Sequence, residues 1–208
     1  MPEKEIILIG GGGHCRSCID VIEISQAFKI AGIVERPGSN KTKLILGYPI
    51  IGYDDELSTL RKQYDYALIT VGQIGSGTIR QDLFKGLKAL GFILPVIISP
   101  LAHVSKHATI DDGTIVMHQA MVNAGAQIGK NCILNTQCLI EHDVKIGDHT
   151  HISTAAVLNG EAVIGSGSFV GSNATIAHGA KLPDNYFFKA KSLIISEKNG
   201  KAIKDNSL

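Results

Sequence analysis

Charge imbalance is absent from this sequence. Twenty Lys and Arg face 19 Asp and Glu, leaving a formal net charge of +1. Without a basic or acidic excess the chain offers no electrostatic footprint for nucleic acid or an anionic membrane surface, and neither partner is expected. Long apolar runs are missing too. No stretch approaches the ~18 apolar residues of a spanning helix, and the opening MPEKEIILIG lacks a signal-peptide pattern. The expectation is a soluble, cytoplasmic protein. Cysteine is scarce: the four present do not suggest a disulfide framework. Cys15 and Cys18 form one C-x-x-C with no second pair, so zinc or redox chemistry is a minor reading and no metal is expected.

What the chain does have is a period of six. Starting at Ile98, an Ile, Val or Leu recurs at every sixth position through Val104, Ile110 and Val116 to Leu182, fifteen hexads without an insertion. Four residues after each anchor the residue is usually small, as at Ala102, Ala108, Thr114, Ala120, Cys132 and Cys138; Tyr186 breaks the rule. Neither helical periodicity nor simple alternation gives such a repeat. It is the signature of a β-solenoid, with the large aliphatic inward, the small residue in a tight corner, and polar or Gly residues in the outer turns. This pattern resembles the left-handed parallel β-helix of the hexapeptide acyltransferases. That resemblance supplies the handedness, since crossovers between parallel strands otherwise favour the right hand. It also implies three hexads per triangular coil, so that residues eighteen apart are stacked.

The first hundred residues read differently. Glu5 to Ile9 is a short apolar run that ends in Gly10-Gly11-Gly12-Gly13-His14, and a helical pattern with Ile19, Val21 and Ile22 on its apolar side follows. Lys29 to Glu35, Tyr66 to Val71 and Phe92 to Ile98 read as further strands, and Ile79 to Leu90 as a helix. Strands alternating with helices argue a parallel α/β sheet of Rossmann-like type. The expected division is an α/β domain over 1–97, a β-helix over 98–187 and a tail over 188–208, where Asn199-Gly200 suggests a hairpin. The 44% hydrophobic content can fill two cores. Gly10, Gly12 and Cys15 fall on the G-x-G-x-x-G positions, with the third Gly missing. Backbone N–H groups at such a turn still favour phosphate, and Glu35 at the end of the second strand could meet a ribose or base. The alternative is a tight turn with no ligand.

Chemistry concentrates in the corners of the repeat, at Asn135, Glu141-His142-Asp143, His149, His151 and Asn159-Gly160. Acyl transfer from a thioester needs a base for the acceptor proton and a donor facing the oxyanion. His142 beside a carboxylate suits the first task. Gly160, eighteen residues on, should lie one coil above with its N–H facing the same pocket. His103, His107, His118 and His178 read as decoration of solvated corners. No Ser or Cys in a nucleophilic triad is evident.

The segments Asn135 to Asp143, Ile146 to Ser153 and Leu158-Asn159-Gly160, with the Gly10 to His14 loop and Ile69-Thr70-Val71-Gly72, resemble the sialic-acid O-acetyltransferase (NeuD) and bacillosamine N-acetyltransferase (PglD) group. The resemblance implies an acetyl-CoA-dependent homotrimer with active sites between subunits and a nucleotide-sugar-binding α/β domain. It implies His142 as general base and Asp143 as its orienting acid. His151 falls near the acetyl carbonyl, Gly160 supplies an N–H to the acetyl oxygen, and Asn135 is an acceptor-side contact. Gly12, Gly13, His14 and Glu35 match the sugar-nucleotide site. The Gly-x-Pro-Ala-Lys-like CoA segment of that group is replaced here by Phe187-Phe188-Lys189-Ala190-Lys191. The expected reaction is N-acetylation of a UDP-4-amino-4,6-dideoxy sugar. The alternatives are O-acetylation of a sialic-acid-like sugar and a non-catalytic sugar-nucleotide scaffold.

Overall fold

In a computed structural model, residues 4–38, 43–195 and 203–205 are described. The chain opens with strand β1 (Glu5–Ile9), whose last four residues are buried, as a central parallel strand covered on both faces requires. Helix α1 (Gly13–Ser25) follows and buries Cys15, Cys18, Ile19, Val21 and Ile22. Then come β2 (Lys29–Glu35), β3 (Leu44–Ile45), β4 (Tyr48–Tyr53), the single turn α2 (Leu57–Leu60), β5 (Tyr66–Ile69) and α3 (Thr78–Ala89). The sheet order is β3-β4-β2-β1-β5, parallel except for the β3–β4 hairpin. That hairpin turns on Leu46 and Gly47, both at positive φ (48° and 88°). Positive φ at both central residues is the geometry that matches strand twist. The sequence hid this hairpin because Leu-Gly is not the usual Asn-Gly signal.

One expected strand divides. In Phe92 to Ile98, Ile93 makes only an isolated bridge to Tyr66 at the sheet edge, whereas Ile97–Ile98 pair with Ile115–Val116 in the next unit. Pro95 lies between the two contacts and has no N–H to continue a ladder.

From Ile97 the chain winds into a triangular parallel β-helix of two-residue strands. Val122 pairs with Ile140, Ile128 with Ile146, and Leu134 with Ile152, so each coil consumes eighteen residues and contributes one rung to each of three sheets. The anchors Val122, Leu134, Ile140, Ile152, Leu158 and Ile176 have no exposed surface, and the small corner residues Cys132, Ala156, Ala162 and Ala174 are equally enclosed.

The corners impose a cost absent from the hydrophobic pattern. The third residue after an anchor takes left-handed backbone whether or not it is glycine: Asn131, Gln137, Asp143, His149, Ala155 and Glu161 hold φ between 53° and 60°. Such a residue costs roughly 1–2 kcal/mol. An N–H donated to a carbonyl one coil below offsets it, as from Asp143 to Ala124 (3.1 Å), His149 to Lys130 (2.7 Å) and Ala155 to Thr136 (2.9 Å). At the far end Ile203–Asp205 pairs antiparallel with Leu193–Ile195. The suggested Asn199-Gly200 turn lies outside the described residues.

The two units share a core. Ile97, Ile115 and Ile133 project from one sheet of the β-helix into the apolar face of α1, beside Cys15, Cys18, Ile19 and Ile22. The thiols of Cys15 and Cys18 are pushed up by burial, Cys15 to about 11. They pack as small apolar groups. His118, read above as corner decoration, also ties the units: one ring nitrogen lies 2.6 Å from Ser99 Oγ and the other 2.7 Å from Asp20 Oδ2 on α1.

Arg80 on α3 makes the deepest link. Its fully buried guanidinium donates to the carbonyls of Ile69, Val71 and Asn131 and to Asn131 Oδ1 (2.7 Å), while Asn131 Nδ2 donates back to the Arg80 carbonyl. Burial lowers its pKa to about 10, so it remains a cation at neutral pH, solvated by carbonyl dipoles. Removing it orphans several buried acceptors. Arg80→Met should lower unfolding free energy by about 3 kcal/mol in urea titration. A loss near zero would mean that the joint does not depend on this residue.

Candidate active site

The corner that follows Ile140 is built by stacking. Because Val122, Ile140, Leu158 and Ile176 pair in series, Ala124, His142, Gly160 and His178 form one column. His142 Nδ1 lies 2.9 Å from Asp143 Oδ2. With Nδ1–H donating to the carboxylate, Nε2 keeps its lone pair. That hydrogen bond raises the His142 pKa, with Asp143, Glu141 and Glu161 adding negative charge. Glu141 is itself held, accepting from Asn123 Nδ2 at 3.0 Å and from the His142 N–H at 3.3 Å.

Two glycines make room for the dyad. A Cβ on Gly160 would stand 2.5 Å from His142 Nε2, and one on Gly125 would collide with Asp143 Oδ1. Gly125 sits at φ 77°, in the left-handed corner that other residues also adopt, so it is the contact with Asp143 that favours glycine there. The Gly160 N–H donates to no group among the described residues. His178, read from sequence as surface decoration, stands with its ring centroid 6.4 Å from that of His142 and its Nε2 3.8 Å from Glu161 Oε2. Its offset of two coils from His142 was the available signal.

His151 and Asn135 are brought together elsewhere, on the sheet that packs against the α/β unit. His151 is buried; its Nδ1 donates to the Gln73 carbonyl (2.7 Å), its Nε2 accepts from Asn135 Nδ2 (3.1 Å), and its ring meets Phe169 edge-on. Burial pushes its pKa down to about 4. His149 contacts Asn131 Nδ2 at 3.0 Å and Phe84 edge-on, so it belongs to the joint.

A separate cleft of about 330 Å³ opens where β1 and β2 end. Gly10, Gly11, Gly12, Glu35, Asp54 and Gly72 are among its walls. The Gly11 N–H donates to Glu35 Oε1 (2.9 Å), and a Cβ there would strike Glu35 and Ile45, so glycine is dictated by contact. Nothing would meet a Cβ on Gly12 or Gly13 within 4 Å, which leaves the backbone at the start of α1 approachable. Burial raises the pKa of Asp54. Sequence reasoning missed Asp54 because β4 was not recognised. His14 turns away from the cleft. Its Nε2 is buried without a partner, and burial, with Arg80 and His151, pushes its pKa down to about 3.

A family model of the PglD N-terminal domain matches residues 5–87, and a six-repeat bacterial transferase hexapeptide model matches residues 143–178. The chain is thus similar to PglD in its first unit and to bacterial hexapeptide transferases in its coil. Its coil is accordingly the left-handed β-helix. Solved structures are similar over 95–98% of the chain. Perosamine N-acetyltransferase from Caulobacter crescentus, in complex with CoA and GDP-perosamine, is 27% identical with a TM-score of 0.85 and 97% of each chain covered. A histidine-to-asparagine variant of that enzyme gives 26% and 0.86, covering 98% of this chain and 97% of the other. The acetyltransferase domain of PglB from Neisseria gonorrhoeae is 29% identical with a TM-score of 0.84, covering 95% and 94%. No helix among the described residues is long and apolar enough to cross a membrane.

Two expectations follow. Were His142 the general base, its protonation would block that role, and kcat/KM should fall with decreasing pH through a limb set above the ordinary imidazole range. Asp143→Asn removes the cause of the shift and should move that limb to lower pH while reducing the plateau. An unmoved limb would assign it to another group.

Stability gives the second. His14 and His151 are neutral when folded and titrate near 6.5 when unfolded, so the unfolded chain binds extra protons as pH falls from about 6.5 toward 4, and stability drops across that window. His151 alone should account for roughly 3 kcal/mol at its lower end. Urea midpoints measured between these pH values check the slope, which should flatten in His151→Gln.

Proposed function

We propose that this protein moves acetyl from acetyl-CoA to the amino group of a nucleotide-linked amino sugar. The observation that carries the reading is the His142–Asp143 pair, with Nε2 facing the Gly160 position, where a Cβ would stand 2.5 Å away. The ligands of the similar structures, CoA with GDP-perosamine in one and acetyl-CoA in another, support the same substrate classes.

In this reading the nucleotide occupies the α/β cleft. The amides around Gly12 and Gly13 at the start of α1 meet the pyrophosphate, and Glu35 meets the ribose or base. His14 backs that loop from the buried side. The sugar amine reaches His142, whose Nε2 takes a proton as the nitrogen attacks the thioester carbon. The Gly160 N–H steadies the oxyanion, which collapses to expel the CoA thiolate. The attack is direct. Burial holds Cys15, Cys132 and Cys138 as neutral thiols, with pKa values from about 11 to about 12, which disqualifies them as nucleophiles. His151 spends its one N–H on Gln73, so we assign it to holding Asn135 on the acceptor side.

We further propose a cytoplasmic homotrimer with CoA between adjacent β-helices. One flank carries a groove of about 420 Å³, with Lys145, Gly147, Val163 and Gly165 in its walls, suited to that position. Sedimentation should give a trimer; a fully active monomer at micromolar concentration would refute it.

The deciding assay is acetyl-CoA consumption with UDP-, GDP- and dTDP-linked amino sugars, followed by product analysis. His142→Ala should reduce kcat by about 10² to 10⁴-fold with little change in acetyl-CoA affinity. No thioester cleavage with any amino sugar, or product acetylated only on oxygen, would overturn the reading.

A further inference from the structure

Resting on that reading, we infer that His178, backed by Glu161, is a second base that strips the extra proton from the incoming sugar ammonium. The reason begins with proton balance. An ammonium acceptor and acetyl-CoA become an amide, CoA thiol and one free proton. The nitrogen must therefore shed two protons: one before its lone pair can attack, one during or after attack. The second, taken by His142, can be returned to the departing thiolate. The first has to leave the site before His142 is called upon, or His142 would already be charged and unable to act again.

The corner column supplies a second acceptor in the right place. His178 lies two coils above His142 with ring centroids 6.4 Å apart. The residue between them is Gly160, whose missing side chain lets the His142 ring lie against the backbone of that coil. An amine bound over this corner has His142 and His178 as its two neighbouring imidazoles. The charged and titratable groups facing His178 are Glu161 and His142, with Asp143 and Glu141 behind the latter. His142 Nδ1 is committed to Asp143, whereas His178 Nε2 stands 3.8 Å from a carboxylate that points outward. The side chains of His178 and Glu161 are 64% and 61% exposed, so a proton passed from imidazole to carboxylate goes straight to water. A hydroxyl acceptor has one proton to lose and would not need this pair.

The test is the pH dependence of kcat/KM for the amino sugar in wild type, His178→Gln, Glu161→Gln and His142→Ala. Both variants of the second pair should fold as wild type, since their side chains are largely exposed. Near pH 7, His178→Gln should lose about tenfold and Glu161→Gln less. Both should approach wild type near pH 9.5, where water has already deprotonated the amine. His142→Ala should stay impaired throughout. A loss in His178→Gln that is equal at both pH values, or no loss near pH 7, overturns this inference while leaving the acetyltransferase reading intact. Wild-type inactivity on every amino sugar overturns that reading instead, and this one with it.

Discussion

Each coil of the β-helix is hydrogen-bonded to the next at an offset of eighteen residues, and the site hangs on that one register. A shift of a single residue would carry every aliphatic anchor out of the core, so the register is enforced along the whole stack by fully enclosed Ile, Leu and Val side chains. The corners inherit this rigidity. His142 is placed against Gly160, and Asp143 against Gly125, by a ladder whose strength lies elsewhere. A flexible loop could offer the same residues but not the same pre-set contacts, which is what the base and orienting acid proposed here would require.

The α/β unit is attached with comparable stiffness but different chemistry. Apolar contact between α1 and the column Ile97, Ile115 and Ile133 supplies area, and the Arg80–Asn131 exchange supplies direction. Because Arg80 also holds the carbonyls of Ile69 and Val71, the end of β5 is fixed relative to the coil. The cleft at the ends of β1 and β2 therefore keeps a constant relation to the corners of the β-helix.

Much of this was legible in the chain, for a physical reason. A period of six leaves a linear trace, because the same packing problem is solved at every corner, and the pairing of Ile140 with Leu158 follows from it. Helix α1 was readable from its apolar stripe. The β3–β4 hairpin was not, since Leu46-Gly47 lacks a strong turn signal, and Asp54 was missed with it. Arg80 was invisible because a buried cation satisfied by backbone carbonyls looks, in sequence, like any surface arginine on an amphipathic helix. His151 illustrates the opposite difficulty: its place in the repeat was evident, but its burial depends on Gln73, 78 residues away. His178 could have been placed by adding two coils to His142.

The last rung of the stack raises a problem of open edges. A parallel β-helix ends in rows of unpaired N–H and C=O groups, and a second molecule could in principle continue the winding. Here Ile203–Asp205 lies across the end of one of the three sheets in the reverse direction. A reversed strand presents the wrong hydrogen-bond spacing to another parallel coil. On that sheet the reversed strand blocks the parallel winding that the repeat itself would allow to go on.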